Sequence, residues 1–270
     1  MRLFPRAWRL TIGSRDLSAL DLSFSVERKT RGAPGTASIT LRNPAPETRS
    51  AAVEDAEVRL SAGYRNGEIP LIFSGRIRDA RGGREGDSRT LTITGRDGGG
   101  AYLDRAILSR AYAPGTTIDT VARDAVDALG VGAGNLRDAL PLRLRNGAST
   151  FASGFAAHGP ARRLLSDILA GAGYRWSVQH GALQVLRRGR PLEGRGELLS
   201  PDTGLLESPT WDERRQTLTA KALIRPGLEP GGRVRVDAAD VLGDFEIRGT
   251  AWTGDTAGAD WNAVLTLRPL

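Results

Sequence analysis

The sequence predicts a mainly β protein with a small α/β insert, and its hydrophobic periodicity carries that prediction. Over roughly the first hundred residues, apolar side chains recur at every second position. In the middle of the chain the spacing shifts to steps of three and four. After Arg190 the two-residue period returns, punctuated by Pro-Gly turns.

In chain order, Trp8 to Ile12 alternates, and Leu20, Leu22, Phe24 and Val26 do so with Asp21, Ser23 and Ser25 between them. Such a pattern buries one face of a strand. Ala37 to Leu41 repeats it until Asn43, Pro44 and Pro46 end the run, since proline cannot donate to a ladder. Val58, Leu60 and Ala62 form the next strand, and Arg65-Asn66-Gly67-Glu68 supplies a hairpin turn. Leu71 to Asp79 and Arg89 to Thr94 make a further pair, joined by the polar, glycine-rich loop Arg81 to Ser88. The result is an antiparallel unit of about six strands, suited to a barrel or sandwich.

A helix is expected from Ile118 to Leu129, capped by Thr116 or Thr117 and ended by Gly130. A second is expected from Pro160 to Ala170, stopped by Gly171 and Gly173. Tyr174 to Val178 and Ala182 to Leu186 then form a hairpin about Gln179-His180-Gly181. These pieces give a unit with two helices on a short sheet. Leu218 to Ile224, Arg233 to Val236, Asp244 to Gly249 and Trp261 to Leu267 supply a second, smaller β unit. The expected divisions are residues 1–100, 101–190 and 191–270, with the two β units side by side and no strict internal repeat.

Composition excludes several classes of function. The chain has no cysteine, which removes disulfides, thiolate metal sites and cysteine catalysis. The formal charge is +7, carried by arginine, with Lys29 and Lys221 as the lysines. The positive charge is spread along the chain, its densest patch being Arg187, Arg188 and Arg190, so specific nucleic-acid binding is not expected. Met1 to Leu10 lacks the apolar run of a signal peptide, and no stretch approaches the roughly 18 to 20 apolar residues of a membrane helix, so membrane insertion is not expected.

Catalytic and metal constellations are equally sparse. The two histidines, His158 before a helix and His180 in a hairpin turn, read as solvated turn residues. Ser153 sits in a Ser-Gly turn without the context of a nucleophile elbow. Gly95-Arg96-Asp97-Gly98-Gly99-Gly100 has glycines suited to a phosphate cradle but lacks the Gly-Lys-Ser/Thr ending, and reads as a crossover between units. Asp202, Glu207, Asp212 and Glu213 could form a glycosidase pair, yet no aromatic sugar platform accompanies them. Asp255 to Asp260 could hold calcium but lacks the glycine and terminal glutamate of an EF-hand loop. No catalytic, cofactor-binding or metal residue is assigned, and no enzymatic activity is expected.

Five segments stand in a telling order. Leu71-Ile72-Phe73-Ser74-Gly75-Arg76-Ile77 leads to Leu91-Thr92-Ile93-Thr94-Gly95-Arg96-Asp97-Gly98. Tyr112-Ala113-Pro114-Gly115-Thr116-Thr117 opens a helix. Gly173-Tyr174 precedes Trp176-Ser177-Val178-Gln179 and Gly181-Ala182-Leu183-Gln184-Val185-Leu186. Leu199-Ser200-Pro201-Asp202-Thr203-Gly204-Leu205-Leu206-Glu207-Ser208-Pro209 follows. Leu223-Ile224-Arg225-Pro226, Pro230-Gly231-Gly232-Arg233-Val234, Gly254-Asp255 and Asp260-Trp261 complete the series. Together they resemble the baseplate hub proteins of contractile-tailed bacteriophages and related tail-like particles, the late control D-like family.

The resemblance implies two tail-tube-like antiparallel β-barrels flanking an α/β domain with two helices. It implies a homotrimer in the virion tail baseplate, assembled in the host cytoplasm. Three subunits would present a pseudo-sixfold ring, docking the hexameric tail tube or tube-initiator protein on one side and the central spike on the other, with the tape measure protein as a further partner. The other readings are a tail-associated cell-wall hydrolase, a DNA-contacting lumen protein, and another tube-terminus protein such as a distal tail protein.

Overall fold

A computed structural model describes residues 5–30, 34–98, 105–192 and 196–270. The first β segment comprises β1 (Arg6–Ile12), β2 (Arg15–Asp16), β3 (Leu22–Lys29), β4 (Thr36–Arg42), β5 (Glu57–Tyr64), β6 (Leu71–Glu85) and β7 (Ser88–Asp97), with a short helix α1 (Pro46–Ala51) after β4. The middle holds β8 (Ile107–Tyr112), α2 (Ile118–Leu129), β9 (Phe155–Pro160), α3 (Ala161–Gly171), β10 (Tyr174–Gln179) and β11 (Ala182–Arg187). The last segment holds β12 (Glu197–Leu199), β13 (Thr210–Asp212), β14 (Thr217–Ala222), β15 (Arg233–Ala238), β16 (Val241–Asp255) and β17 (Trp261–Pro269). The protein is mainly β.

Both β segments join one 13-stranded sheet, ordered β13-β14-β17-β16-β3-β4-β7-β6-β5-β1-β2, with β15 branching from β16 and β12 lying parallel to β15. The 15-residue strand β16 makes the join. Its first half pairs with β15, its second half pairs with β3, and β17 runs along both halves. A bulge between Ile247 and Gly249 marks the changeover, where an extra residue bends a strand and increases its twist.

The alternation read from sequence becomes the core directly. Leu22, Phe24 and Val26 of β3 face Ile39 and Leu41 of β4, Leu91 and Ile93 of β7, and Trp252 of β16, all within one apolar cluster that also contains Leu265 and Leu267 of β17. Burying each such side chain contributes about 1.5–3 kcal/mol, so the two chain ends stabilise each other through one core. No ladder closes this sheet among the described residues. Side chains bring β1 and β5 back onto the β16–β17 hairpin instead. Trp261 Nε1 donates to the Gly63 carbonyl at 3.0 Å, and Tyr64 OH donates to the Trp261 carbonyl at 3.3 Å. The Trp261 ring meets Trp8 and Phe24 edge-on, at 6.1 and 5.3 Å between centres.

The middle unit has a separate core. Helix α2 contributes the stripe Ile118, Val121, Ala122, Ala125, Val126 and Leu129, and α3 contributes Leu165, Ile168 and Leu169. Trp176, Val178, Leu183 and Val185 of the β10–β11 hairpin close the other side. Thr117 is the cap of α2, accepting the Thr120 N–H at 3.2 Å, and Gly130 ends the helix at φ +64°.

Several expectations are corrected. The stretch Arg81 to Ser88 is not a loop: β6 and β7 stay paired out to Glu85 and Ser88, turning at Gly86. Both faces of this hairpin end are exposed, so no alternation announces it. The short sheet expected in the middle is two separate ladders, β8–β9 and β10–β11. Helix α3 runs through Gly171, and the left-handed residue that stops it is Gly173, φ +84°. His158 lies on strand β9, exposed, with Nδ1 3.1 Å from Ser109 Oγ, rather than in a turn.

Candidate functional site

Strand parity places a charged group where the two cores meet. The inward positions Leu22, Phe24 and Val26 of β3 continue to Arg28, and the inward positions Leu91, Ile93 and Gly95 of β7 continue to Asp97. Arg28 is 1 % and Asp97 0 % exposed, although both are charged types. Buried charges of this kind persist only when paired and hydrogen-bonded.

The partners come from all three segments. Arg28 Nε lies 3.4 Å from Asp97 Oδ2, and Nη1 donates to Glu229 Oε2 at 2.9 Å. The guanidinium also faces the His180 ring, with Nη1 2.9 Å from Nε2 and Nη2 3.2 Å from Nδ1, and it stands 5.6 Å from the centre of the Trp252 ring. Asp97 uses both oxygens on the β10–β11 turn, accepting the His180 N–H at 3.0 Å and the Gly181 N–H at 2.8 Å. Those N–H groups converge because His180 and Gly181 both hold positive φ, +53° and +77°. Gly98 lets the strands approach, since a Cβ there would collide with Val178.

The electrostatics follow from burial and pairing. Burial pushes the Asp97 carboxyl above its ordinary range, opposed by the Arg28 guanidinium and by the N–H groups of Gly181 and His180. At Glu229 burial acts in the same direction, but the hydrogen bond with His180 and the charge of Arg28 outweigh it and hold the group below its ordinary value. A second link lies alongside: Arg175 of β10 pairs with Glu246 of β16, which is 3 % exposed, with Arg248 Nε 3.9 Å from the same carboxylate. Gln179 Nε2 donates to the Pro230 carbonyl at 2.9 Å, and a Cβ on Gly231 would stand 2.6 Å from Leu186.

This arrangement holds three segments of the chain together. It joins a guanidinium, two carboxylates and an imidazole in one network. His180 lies exposed in the hairpin turn as expected, and its side chain, 32 % exposed, is also a member of the joint. Arg28, Asp97, Glu229, Arg175 and Glu246 were not singled out as site residues by sequence, although inward parity marks the first two.

The other sequence candidates are dispersed. Glu207 pairs with Lys221 at 2.6 Å, and Asp212 accepts the Arg214 and Arg215 N–H groups in a turn. Asp202 sits in the short turn that Ser200 and Thr203 cap reciprocally, and Ser153 is exposed in a turn. Asp255 is held by Arg42 through two bonds of 3.0 Å and by the N–H groups of Ala257 and Gly258. The carbonyls of Asp255, Gly258 and Ala259 all accept from the Arg6 guanidinium. Among the described residues no group of three or more His, Cys, Asp or Glu side chains is arranged to hold a metal, and no helix is long and apolar enough to cross a membrane. Gly99 and Gly100 of the glycine-rich stretch lie outside the described residues.

No family model matches the chain, and no curated protein matches it. Solved structures do. A tail protein from Neisseria meningitidis MC58 superposes with a TM-score of 0.66 at 13 % identity, covering 98 % of this chain and 96 % of that one. The 43 kDa tail protein of prophage MuSo2 from Shewanella oneidensis gives 0.65 at 11 % identity, covering 98 % and 97 %. An E. coli component of the type VI secretion system, described as structurally similar to the T4 bacteriophage tail proteins gp27 and gp5, gives 0.63 at 14 % identity, covering 97 % and 76 %. The chain has a phage tail-type fold.

Proposed function

We propose that this chain is a structural baseplate hub, a homotrimeric symmetry adaptor between a hexameric tail tube and a trimeric spike. One observation carries the reading: β16 joins two runs of strands, one from each end of the chain. The first run is β3-β4-β7-β6-β5-β1 and the second is β12-β15-β16-β17-β14-β13. If each run curls into a tube-like barrel, three copies offer six similar docking surfaces, and a ring closes when heterologous contacts repeat through the right rotation.

In this reading residues 1–100 and 191–270 supply the two tube-like barrels and residues 101–190 the domain between them. The buried Arg28–Asp97–Glu229 joint fixes the middle unit against the barrels. The exposed β6–β7 hairpin end reaches toward a neighbouring subunit or the tube, because its arginines and glycines have no core to join. The partners are the tube or tube-initiator protein, the central spike and the tape measure protein. The role is structural rather than catalytic, without specific nucleic-acid binding or membrane insertion, and the location is the tail baseplate.

The test is solution mass measurement of the purified chain together with negative-stain imaging. Three copies forming an annulus with an open centre are expected. A stable monomer, or a ring of another number, contradicts the proposal.

A further inference from the structure

A cleft of about 560 Å³ opens where the middle unit meets the ends of β3 and β17 and the bulge in the middle of β16. Lys29, Arg175, Arg188, Arg248 and Arg268 line it. Two carboxylates answer these five cations: Glu246, buried against Arg175 and Arg248, and Glu27, exposed beside Lys29. Arg188 and Arg268 are exposed and have no carboxylate partner among the described residues. Arg175 is 12 % exposed, and its buried Nε has no acceptor. A buried donor left without a partner is uncommon, and here it belongs to a side chain lining a cationic cleft.

We infer that this cleft binds an acidic peptide segment of a partner protein, one bearing several spaced carboxylates. Guanidinium forks match carboxylates in geometry as well as charge. Spacing matters because Glu27 and Glu246 stand in or beside the wall; separate carboxylates pass them, whereas an unbroken row of phosphates meets repulsion. A nucleic-acid track would need a continuous basic stripe. Several arginines elsewhere are paired with acids instead, as in Arg233–Asp244, Arg225–Glu197 and Arg42–Asp255. Arg175 and Arg188 belong to the middle unit, and Lys29, Arg248 and Arg268 belong to the shared sheet. A bound segment therefore clamps the two together. The inference does not depend on the hub reading.

The test uses the full chain and a fluorescein-labelled hexapeptide of alternating glutamate and glycine, read by fluorescence anisotropy. Saturable binding that weakens with added salt is expected. Arg188→Gln with Arg268→Gln, both at exposed positions, weakens it about tenfold. Arg81→Gln with Arg84→Gln, on the distant β6–β7 hairpin, leaves it unchanged. Equal binding by wild type and the Arg188/Arg268 variant overturns the inference, as does tighter binding of a thymidine hexanucleotide than of the peptide. Sedimentation velocity supplies the last arm: self-association that the Arg188/Arg268 variant loses and excess peptide does not reverse assigns the cleft to a second copy of the chain, which also overturns it.

Discussion

In the middle unit, α2 packs on α3 and both pack on the β10–β11 hairpin, so every core contact lies within one contiguous stretch of chain. In the shared sheet, Val26 stands opposite Trp252 and Phe24 opposite Gly254, joining residues from the two ends. The first arrangement can form as soon as its own segment is present. The second must close a loop that includes the entire middle unit before its contacts repay the entropy. The difference teaches that the helical unit is inserted into a body completed by β16, and that the joint between them needs its own chemistry, which is charged and buried rather than apolar.

The sharpest way to break this comparison is Trp252→Ala. Trp252 is 1 % exposed at the centre of the shared core, and its truncation costs about 4 kcal/mol. Hydrogen exchange should show strands β3 and β17 losing protection together while α2 and α3 keep theirs. Leu165→Ala, at a fully buried position in the middle unit, costs about 3 kcal/mol. In hydrogen exchange it should lower the opening free energy of α2 and α3 and leave that of β3 and β17 in place.

The joint gives an intermediate effect. Asp97→Asn removes the charge facing Arg28 and spoils one of the two N–H acceptances, costing about 2 kcal/mol. Thermal unfolding should then split into two transitions, because neither core is altered.

The smallest effect lies at the seam where Arg42 holds Asp255. The Arg42 hydrogen bonds keep the Asp255 carboxyl well below its ordinary value; burial opposes them and the Ala257 and Gly258 N–H groups assist. A depressed carboxyl adds stability that is complete above its unfolded value of about 4 and is lost as pH falls through the folded one. Arg42→Gln should therefore cost about 1 kcal/mol near neutrality, and the gap from wild type should narrow in denaturant titrations below pH 4.

Much of the fold was legible because each stretch carries its own period. Helix α2 lies at Ile118–Leu129 as its apolar stripe predicts, and β10 and β11 fall about the expected turn. What periodicity could not show is pairing between distant strands: nothing in Leu22 to Lys29 names Val241 to Asp255 as its neighbour. Strands β8 and β9 escaped because their outward positions, such as Ile107 at 66 % exposure, break the alternation. The joint was half legible. Asp97-Gly98 stood out as a motif, and Arg28 held an inward register position, but their partners His180 and Glu229 lie on turns whose placement depends on the finished structure.

Hydrogen exchange under native conditions tests the inserted-unit account most directly. The amides of β3 and of the second half of β16 should open with the same free energy and the same denaturant dependence, as one cooperative element, with α2 and α3 opening separately. If β3 keeps its protection while residues 249–255 exchange, the two chain ends form independent bodies and the account is wrong.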